Sequence, residues 1–410
     1  MRFGPALFAA TLLVPATALA QTTSIPATAP AAEVPRTPGR PILESLDNLE
    51  WKGFRPTVGT VASGSGPGVG FEFLTNRIGR FTMGVGVDAM ISLRNYQDLT
   101  VRLGGLTNRS TRMRLEPGDD KFTSTMRLPS SDSPGWALYV EQRYRRLPSL
   151  SLYGTTTPDT TVRTDFGQTV TGTDAVYQLH TIGSIGFSAR LGYLKTDPFP
   201  GTHDDRPNTE SVFSDGISQA LTTASRYIVG GIGAGIDRRD HPWRPKRGSV
   251  VSLTARRFMS RSDAFTSFSR VGFDIQSFRQ VGTLRHVVAA RLLGSYTGMT
   301  SDNRELPFQL THALGGSDSL RSFPSYRFRG QSLTAATLES RWRLWRPLEV
   351  VLFADVGHFA RPPVPTGGDT TLTSVGVGAR YWFKDRHALR ADVSRGRDGW
   401  RLVATLGAPF

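Results

Sequence analysis

The chain contains no cysteine, and beyond its first twenty residues no apolar run approaches the ~18 residues that a transmembrane helix needs. These absences exclude disulfide scaffolds, thiolate sites and helical membrane insertion of the mature chain. Hydrophobic residues make up only 38% of the sequence, which is low for a large domain with a dry core. The seven histidines show no ligand spacing such as H-E-x-x-H. No metal or other cofactor is therefore expected.

Motifs of catalysis are also lacking. In "GGSDS", Gly315 and Ser317 fit the G-x-S-x-G pattern of serine hydrolases, but Ser319 occupies the last glycine position. The glycines of "GGIGAGI" recur at every second residue, which suits a strand better than a dinucleotide-binding loop. The sequence therefore predicts that the protein is not an enzyme.

The N-terminal segment has the features of an export signal. Residues 1–20 combine Arg2, an apolar middle and the small-residue ending "ALA", which predicts a secretory signal peptide. A lone membrane anchor is the alternative, which Pro15 disfavours. Residues 21–50 are rich in Pro, Ala and Thr and predict an extended periplasmic tether. Residues 51–410 form the predicted main domain.

The net charge is +15. In an exported chain, such charge favours anionic outer-membrane lipid, including lipopolysaccharide, or a charged lumen over nucleic acid as its partner. A solvated basic surface is the alternative.

From Trp51 onward the chain is a succession of segments with period-2 alternation, separated by turn residues, such as "WALYVEQRY", "SVVSLTARRF" and "LEVVLFADVG". At roughly 20 to 25 residues for each strand and its loop, this length predicts about 16 strands. The fold class is therefore an all-β transmembrane antiparallel β-barrel, because lipid-facing and lumen-facing residues alternate to give a polar average. A soluble exported β-rich protein is the alternative.

The last predicted strand carries an apolar residue at every second position and an aromatic at each end, which is typical of an outer-membrane strand between two aromatic girdles. Its apolar set includes Trp400, Leu402, Leu406 and Phe410.

Two motifs resemble those of the outer-membrane protein assembly factor superfamily, the bacterial surface antigen barrels of BamA and TamA type. "DRRDHPWRPKRG" fits the family pattern D-x-R-D-x-P-x-x-P-x-x-G at Asp237, Arg239, Asp240, Pro242, Pro245 and Gly248. "LGGSDSLRSF" resembles the family's loop signature, a glycine pair followed by (V/L)-R-G-(F/Y), at Gly315, Gly316, Leu320, Arg321 and Phe323. Ser322 stands where the family has glycine.

The resemblance implies that the second motif lies on a long loop folded into the barrel lumen, between the eleventh and twelfth of sixteen strands. The long connection 296–331, followed by five strand candidates, agrees with that order. Alternation along the next two strands places Glu339 and Asp355 in the lumen, where a guanidinium could bridge both. Alternatively, Arg321 is solvated and the carboxylates pair with Arg341 and Arg343. The resemblance implies the first arrangement, a lock of Arg321 and Phe323 on Glu339 and Asp355.

The resemblance also implies a function in the insertion or translocation of proteins at the outer membrane, with client outer-membrane or secreted proteins as partners. The short tether leaves no room for the family's periplasmic polypeptide-transport-associated domains, so we expect a barrel-only member with a periplasmic partner. The alternative is a passive pore or structural barrel whose arginine-rich lumen favours anions.

Overall fold

A computed structural model describes most of the chain beyond residue 52. The described residues are 53–62, 64–75, 83–105, 135–157, 160–181, 184–203, 205–213, 217, 220–241, 244–282, 285–299, 305–345, 347–363, 371–383 and 387–406. The signal peptide 1–20 and the tether 21–50 lie outside these residues and stay predictions.

Strands dominate the described part of the chain. They are β1 Phe54–Gly59, β2 Gly68–Thr75, β3 Gly84–Ser92, β4 Gln97–Gly104, β5 Gly135–Thr157, β6 Thr160–Thr181, β7 Ile185–Pro200, β8 Ser225–Asp237, β9 Gly248–Ser260, β10 Phe268–Val281, β11 His286–Met299, β12 His312–Leu314, β13 Phe328–Gly330, β14 Ser332–Trp345, β15 Leu348–Ala360, β16 Thr371–Phe383, β17 His387–Gly396 and β18 Gly399–Leu406.

The strands form one large sheet in chain order. Sixteen of them, β1 to β11 and β14 to β18, pair antiparallel with their sequence neighbours, whereas β12 and β13 form a separate two-stranded sheet. The predicted all-β class, the antiparallel pairing and the count of sixteen strands are confirmed. Among the described residues, no pairing joins β1 to β18, so the sheet has two free edges there.

The segment between β11 and β14 interrupts this regular order. It contains a 3₁₀ turn at Phe308–Leu310, the short strands β12 and β13, and the signature residues between them. Five strands of the large sheet follow it, as the sequence predicts.

The two faces of the sheet are inverted relative to a soluble protein. On β10 the buried positions include Arg270, Asp274 and Gln276, whereas Val271 and Ile275 are exposed. The same inversion appears on other strands, where Ile232 and Leu402 are 66% and 72% exposed. A sheet whose outer face is apolar and whose inner face is charged matches the alternation of a transmembrane strand.

The sheet is strongly curved. Arg244, on the connection between β8 and β9, stacks over the ring of Trp382 on β16, with its guanidinium carbon 5.0 Å from the ring centroid. These elements are five strands apart in the sheet order, which corresponds to about 24 Å in a flat sheet at ~4.8 Å per strand. The contact therefore requires the sheet to curl toward its charged face.

One end of the curved sheet is filled by apolar side chains that we call the apolar cap. Strands β5 and β6 are the longest in the sheet, and their hairpin contributes to it. The rings of Phe166 and Phe308 meet edge to face at 4.8 Å, and those of Phe258 and Phe268 stack at 4.3 Å. The cap comprises these four residues with Leu147, Leu150, Leu152, Phe213, Leu221, Tyr227, Phe265, Leu306 and Leu310.

Helices are minor. An α-helix occupies the four residues Thr209–Val212 between β7 and β8. Within the described ranges, no helix has both the length and the apolar character needed to cross a membrane.

Candidate functional site

The turn that presents Arg321 is built from two glycines with positive φ. Gly315 and Gly316 have φ values of 117° and 89°, in the region that L side chains rarely adopt. A Cβ on Gly315 would lie 2.1 Å from the carbonyl oxygen of Pro324. The N–H of Gly316 donates to the carbonyl of Phe323 at 2.9 Å, which closes the turn. Both signature glycines are thus needed for the fold of this segment.

Arg321 lies between the two carboxylates that the sequence singles out. Its Nη2 lies 2.7 Å from Oε1 of Glu339 and 3.2 Å from Oδ1 of Asp355, and all three side chains are almost fully buried. The backbone N–H of Arg321 donates to the second oxygen of Asp355 at 3.3 Å. The guanidinium carbon lies 3.7 Å from the ring centroid of Phe353. Arg321 therefore makes charge-assisted bonds and a cation–π contact in a site that excludes water.

Glu339 is shared by three arginines. Arg341 and Arg380 each reach it, at 2.7 and 2.8 Å, in addition to Arg321. Alternation left open whether Glu339 pairs with Arg321 or with Arg341. Both pairings occur, because one carboxylate accepts hydrogen bonds from both arginines. The sequence reasoning missed Arg380. Alternation along "SVGVGARYWF" on β16 could have placed it on the buried face beside Glu339.

Apolar residues of the signature fix the turn from the other side. Leu320 and Phe323 are buried, and the Phe323 ring meets that of Phe328 edge to face at 5.0 Å. A Cβ on Gly357 would lie 3.0 Å from Leu320, so β15 carries glycine where the turn packs on it. This cluster also includes Leu293, Leu314, Leu333, Ala335, Phe359 and Leu372.

Contacts extend from the same turn to the last strands. Arg401 on β18 donates to the carbonyls of Arg321 and Phe323 at 3.0 and 2.8 Å. Arg390 on β17 donates to the carbonyl of Ser317 at 3.1 Å. The N–H of Ser322 donates to Ser374 on β16 at 3.0 Å. The turn is thus fastened to each of the five strands β14 to β18.

Ser322, which replaces the family's glycine, is accommodated by a glycine on the facing strand. Ser322 is buried, and a Cβ placed on Gly396 of β17 would lie 2.2 Å from its hydroxyl oxygen. The hydroxyl of Ser322 thus occupies the space that a side chain at 396 would need.

The motif 237–248 forms the connection between β8 and β9. Arg239 binds the carboxylate of Asp237 with two bonds of 2.9 and 2.6 Å, and Asp240 accepts from the N–H groups of Lys246 and Arg247. Gly248 has a φ of 104°, and a Cβ there would lie 2.0 Å from the carbonyl of Arg238.

These bonds close the turn locally. The motif's remaining positions include Pro245, which is buried, and Pro242, which lies outside the described residues. The described contacts are those of a structural turn. This turn carries Arg244, whose guanidinium lies over the Trp382 ring.

On β18, Trp400 and Leu402 are exposed on the outer face, 70% and 72%, while Arg401 points toward the turn. Leu406 ends the strand, its side chain is not among those described, and Phe410 lies outside the described residues.

A second charge network lines the buried face of the first half of the sheet. Glu141 on β5 lies 2.8 Å from Arg102 on β4 and 3.4 Å from Arg190 on β7. Arg190 also reaches Asp174 on β6 at 3.2 Å, and Arg102 reaches Asp88 on β3 at 2.5 Å. The sequence reasoning did not identify this network.

The chemistry of the site around Arg321 is that of a buried ion-pair network. Groups of His, Asp or Glu that could hold a metal ion do not occur in the described part of the chain. The carboxylates of Glu339 and Asp355 are engaged by guanidinium groups, so they are occupied as ion-pair partners.

We expect Arg321→Ala to lower the free energy of unfolding by about 3 kcal/mol, because it leaves Asp355 buried without its cation. Glu339 keeps two other arginines, which limits the loss. The loss in unfolding free energy is measured by urea unfolding followed by tryptophan fluorescence, and folding is checked by mobility on unheated gels. Arg395→Ala is the matched control, since this exposed arginine contacts the Trp400 ring and we expect a change below ~0.5 kcal/mol. A wild-type unfolding midpoint for Arg321→Ala would contradict the expectation.

We expect Gly396→Ala to destabilise the chain, by about 1 to 3 kcal/mol for overpacking, and Ser322→Gly to suppress that effect. The double variant restores the family's glycine and removes the nearest clash. A double-mutant cycle of unfolding free energies checks this. Additive losses would show that Ser322 and Gly396 do not share space.

The fold of this chain is also found in a solved structure. The chain is similar to BamA from Haemophilus ducreyi lacking POTRA domains 1-3, with a TM-score of 0.60 and 14% identity, covering 87% of this chain and 70% of that one. CdiB from Acinetobacter baumannii gives a TM-score of 0.48 and 12% identity, covering 87% of this chain and 59% of that one. The Pseudomonas putida toluene transporter TodX gives a TM-score of 0.30 and 10% identity, covering 87% of each chain.

The first of these likenesses shows the fold. No curated protein sequence matches the chain. The model of the Omp85 superfamily domain matches residues 120–382, well over half of the chain. The family predicted from the two motifs is confirmed, and the chain belongs to the Omp85 superfamily.

Proposed function

We propose that the protein is an outer-membrane β-barrel that acts in the insertion or translocation of other proteins. The observation that carries the proposal is the fastening of the 315–324 turn to strands β14 to β18 by a buried ion network, while β1 and β18 share no described pairing. The Omp85 membership of the chain supports it.

Closure of the sheet into a barrel is supported by Arg327. Its Nε lies 2.8 Å from Asp398 on the turn between β17 and β18, and its guanidinium carbon lies 5.0 Å from the Tyr153 ring centroid on β5. One side chain therefore contacts both the last strands and the first third of the sheet. With closure, the charged face becomes the lumen, the apolar face meets lipid, and the segment between β11 and β14 lies inside the lumen.

The seam between β1 and β18 is where we place the activity. A strand edge with unpaired N–H and C=O groups can pair with a client strand. Strand β1 is only six residues long, so a closed seam would contain few backbone hydrogen bonds. The five strands fastened to the Arg321 turn would stay together as the seam opens.

The alternative, a passive anion-favouring pore, is disfavoured by the apolar cap. Phe166, Phe258, Phe268 and Phe308 fill one end of the curved sheet with packed rings. Moreover, many lumen-side arginines are paired with carboxylates, as Arg102, Arg190 and Arg291 are. A filled end and arginines held in ion pairs suit a gated barrel.

For partners, we propose client outer-membrane or secreted proteins, anionic lipid around the barrel, and a periplasmic protein that delivers clients. We infer no catalytic role, since the side chains that converge on Arg321 are ion-pair and hydrophobic partners.

Depletion of the protein, followed by mass spectrometry of the outer-membrane fraction, tests the assembly role. We expect a subset of other outer-membrane β-proteins to fall in abundance. Expression of wild type or Arg395→Ala should restore them, and Arg321→Ala should not. Unchanged levels of all other barrels on depletion would contradict the proposal.

Planar bilayers separate assembly from passive conduction. We expect purified protein to give small, fluctuating currents, because the cap closes the lumen. A stable ohmic, anion-selective conductance would favour the passive pore instead.

A further inference from the structure

Three cations lie side by side on the outer face of the sheet. Lys195 on β7 is directly opposite Arg226 on β8. The N–H of Arg261 donates to the carbonyl of Arg226 at 2.8 Å, which continues the β8–β9 ladder one pair beyond Tyr227 and Ser260. We call Lys195, Arg226 and Arg261 the basic row. Directly opposed residues point to the same face, and both arginines are exposed.

The basic row lies at one edge of the outer apolar surface. In the next row, Tyr193 is opposite Ile228, which is opposite Met259. Apolar positions continue along β8 to Ile236, with exposed Ile232 between, while Arg257 on β9 lies opposite Gly230. Residues 228–236 span nine positions, in agreement with the roughly 9 to 11 residues of a tilted transmembrane strand. The basic row therefore lies where the hydrocarbon ends and lipid headgroups begin.

Among the described residues, two acids lie near this edge. Asp197 binds Lys195 at 2.8 Å, and Asp263 is exposed on the turn between β9 and β10. Arg257, on the same face four residues before Arg261, donates to Ser269 at 3.0 Å. Neither Arg226 nor Arg261 has an ion pair within the described residues, so the row keeps an excess of positive charge.

Like charges directly opposite in a ladder are destabilising, and the excess of cations provides charge complementarity for an anion. Phosphate suits this arrangement, because a guanidinium fork binds it with two bonds. The apolar rows just beneath would hold acyl chains attached to that phosphate. A free phosphate would make no use of Tyr193, Ile228 and Met259.

We propose that the basic row is a binding site for the phosphorylated headgroup of a membrane lipid, whose acyl chains pack on the outer faces of β7, β8 and β9. The inference rests on the proposed membrane location.

The test uses the full chain in detergent micelles containing diphosphorylated lipid A, with native mass spectrometry and thermal unfolding as readouts. We expect lipid A to bind and to raise the unfolding temperature. The double variant Arg226→Gln with Arg261→Gln should bind about ten- to thirty-fold more weakly, the effect of two cations on anionic lipid.

Arg395→Gln is the matched control. Arg395 is also exposed at the end of its strand, but its ladder neighbours are Val375 and Trp400, so it forms no row of cations. It should bind lipid A as wild type does. Equal loss in this control, or no loss in the double variant, would overturn the proposal.

Two further probes identify the chemistry. Lipid A without phosphates should bind at least ten-fold more weakly than the diphosphorylated form, and inorganic phosphate at the same concentration should leave the unfolding temperature unchanged. Equal binding of either probe overturns the lipid-phosphate assignment.

Heat-modifiability and membrane fractionation separate this inference from the proposed function. Inserted wild-type protein that binds no lipid A overturns only the lipid site. Protein that never enters the membrane overturns the proposed location as well.

Discussion

A buried arginine held by carboxylates is the interaction on which the C-terminal half of this structure depends. Removing a charge from water is costly unless it is paired with good geometry. Arg321 meets this condition only when β14 and β15 are adjacent, because Glu339 and Asp355 come from different strands. The pairing therefore requires both the strand register and the packing of the turn on the charged face of the sheet. The local fold of the turn and the assembly of β14 with β15 therefore depend on the same ion pairs.

The same logic explains why the turn carries so many small residues. Gly315 and Gly316 supply backbone conformations that a side chain would obstruct, and Gly357 and Gly396 open space on the facing strands. Ser322 and Gly396 show how a departure from the family signature is absorbed. The volume of the serine is matched by a glycine 74 positions later in the chain. Such compensation preserves packing while the motif itself changes.

Period-2 alternation was sufficient to predict the strand class and the burial of Glu339 and Asp355 on the charged face, because alternation is a local property of each strand. The number of strands followed from the chain length. The motifs supplied the family and located Arg321. Arg380 and the network around Glu141 were missed, because which charged residues meet depends on register between strands. The apolar cap was also missed, since it joins four segments that are far apart in sequence: the β5–β6 hairpin, the β7–β8 and β9–β10 connections, and the segment between β11 and β14. Register and loop packing are long-range properties that one strand does not encode.

The apolar cap has a consequence for how this chain reaches its native state. Phe166 touches Phe308 across 142 positions of sequence, so the contact forms only after most of the strands between them are in place. Folding rates fall as contacts become less local, because loop closure must precede the gain from packing. Until then, aromatic surface and strand edges remain exposed to aggregation. A protein proposed to help others into the membrane would thus itself be a slow and demanding substrate for such help.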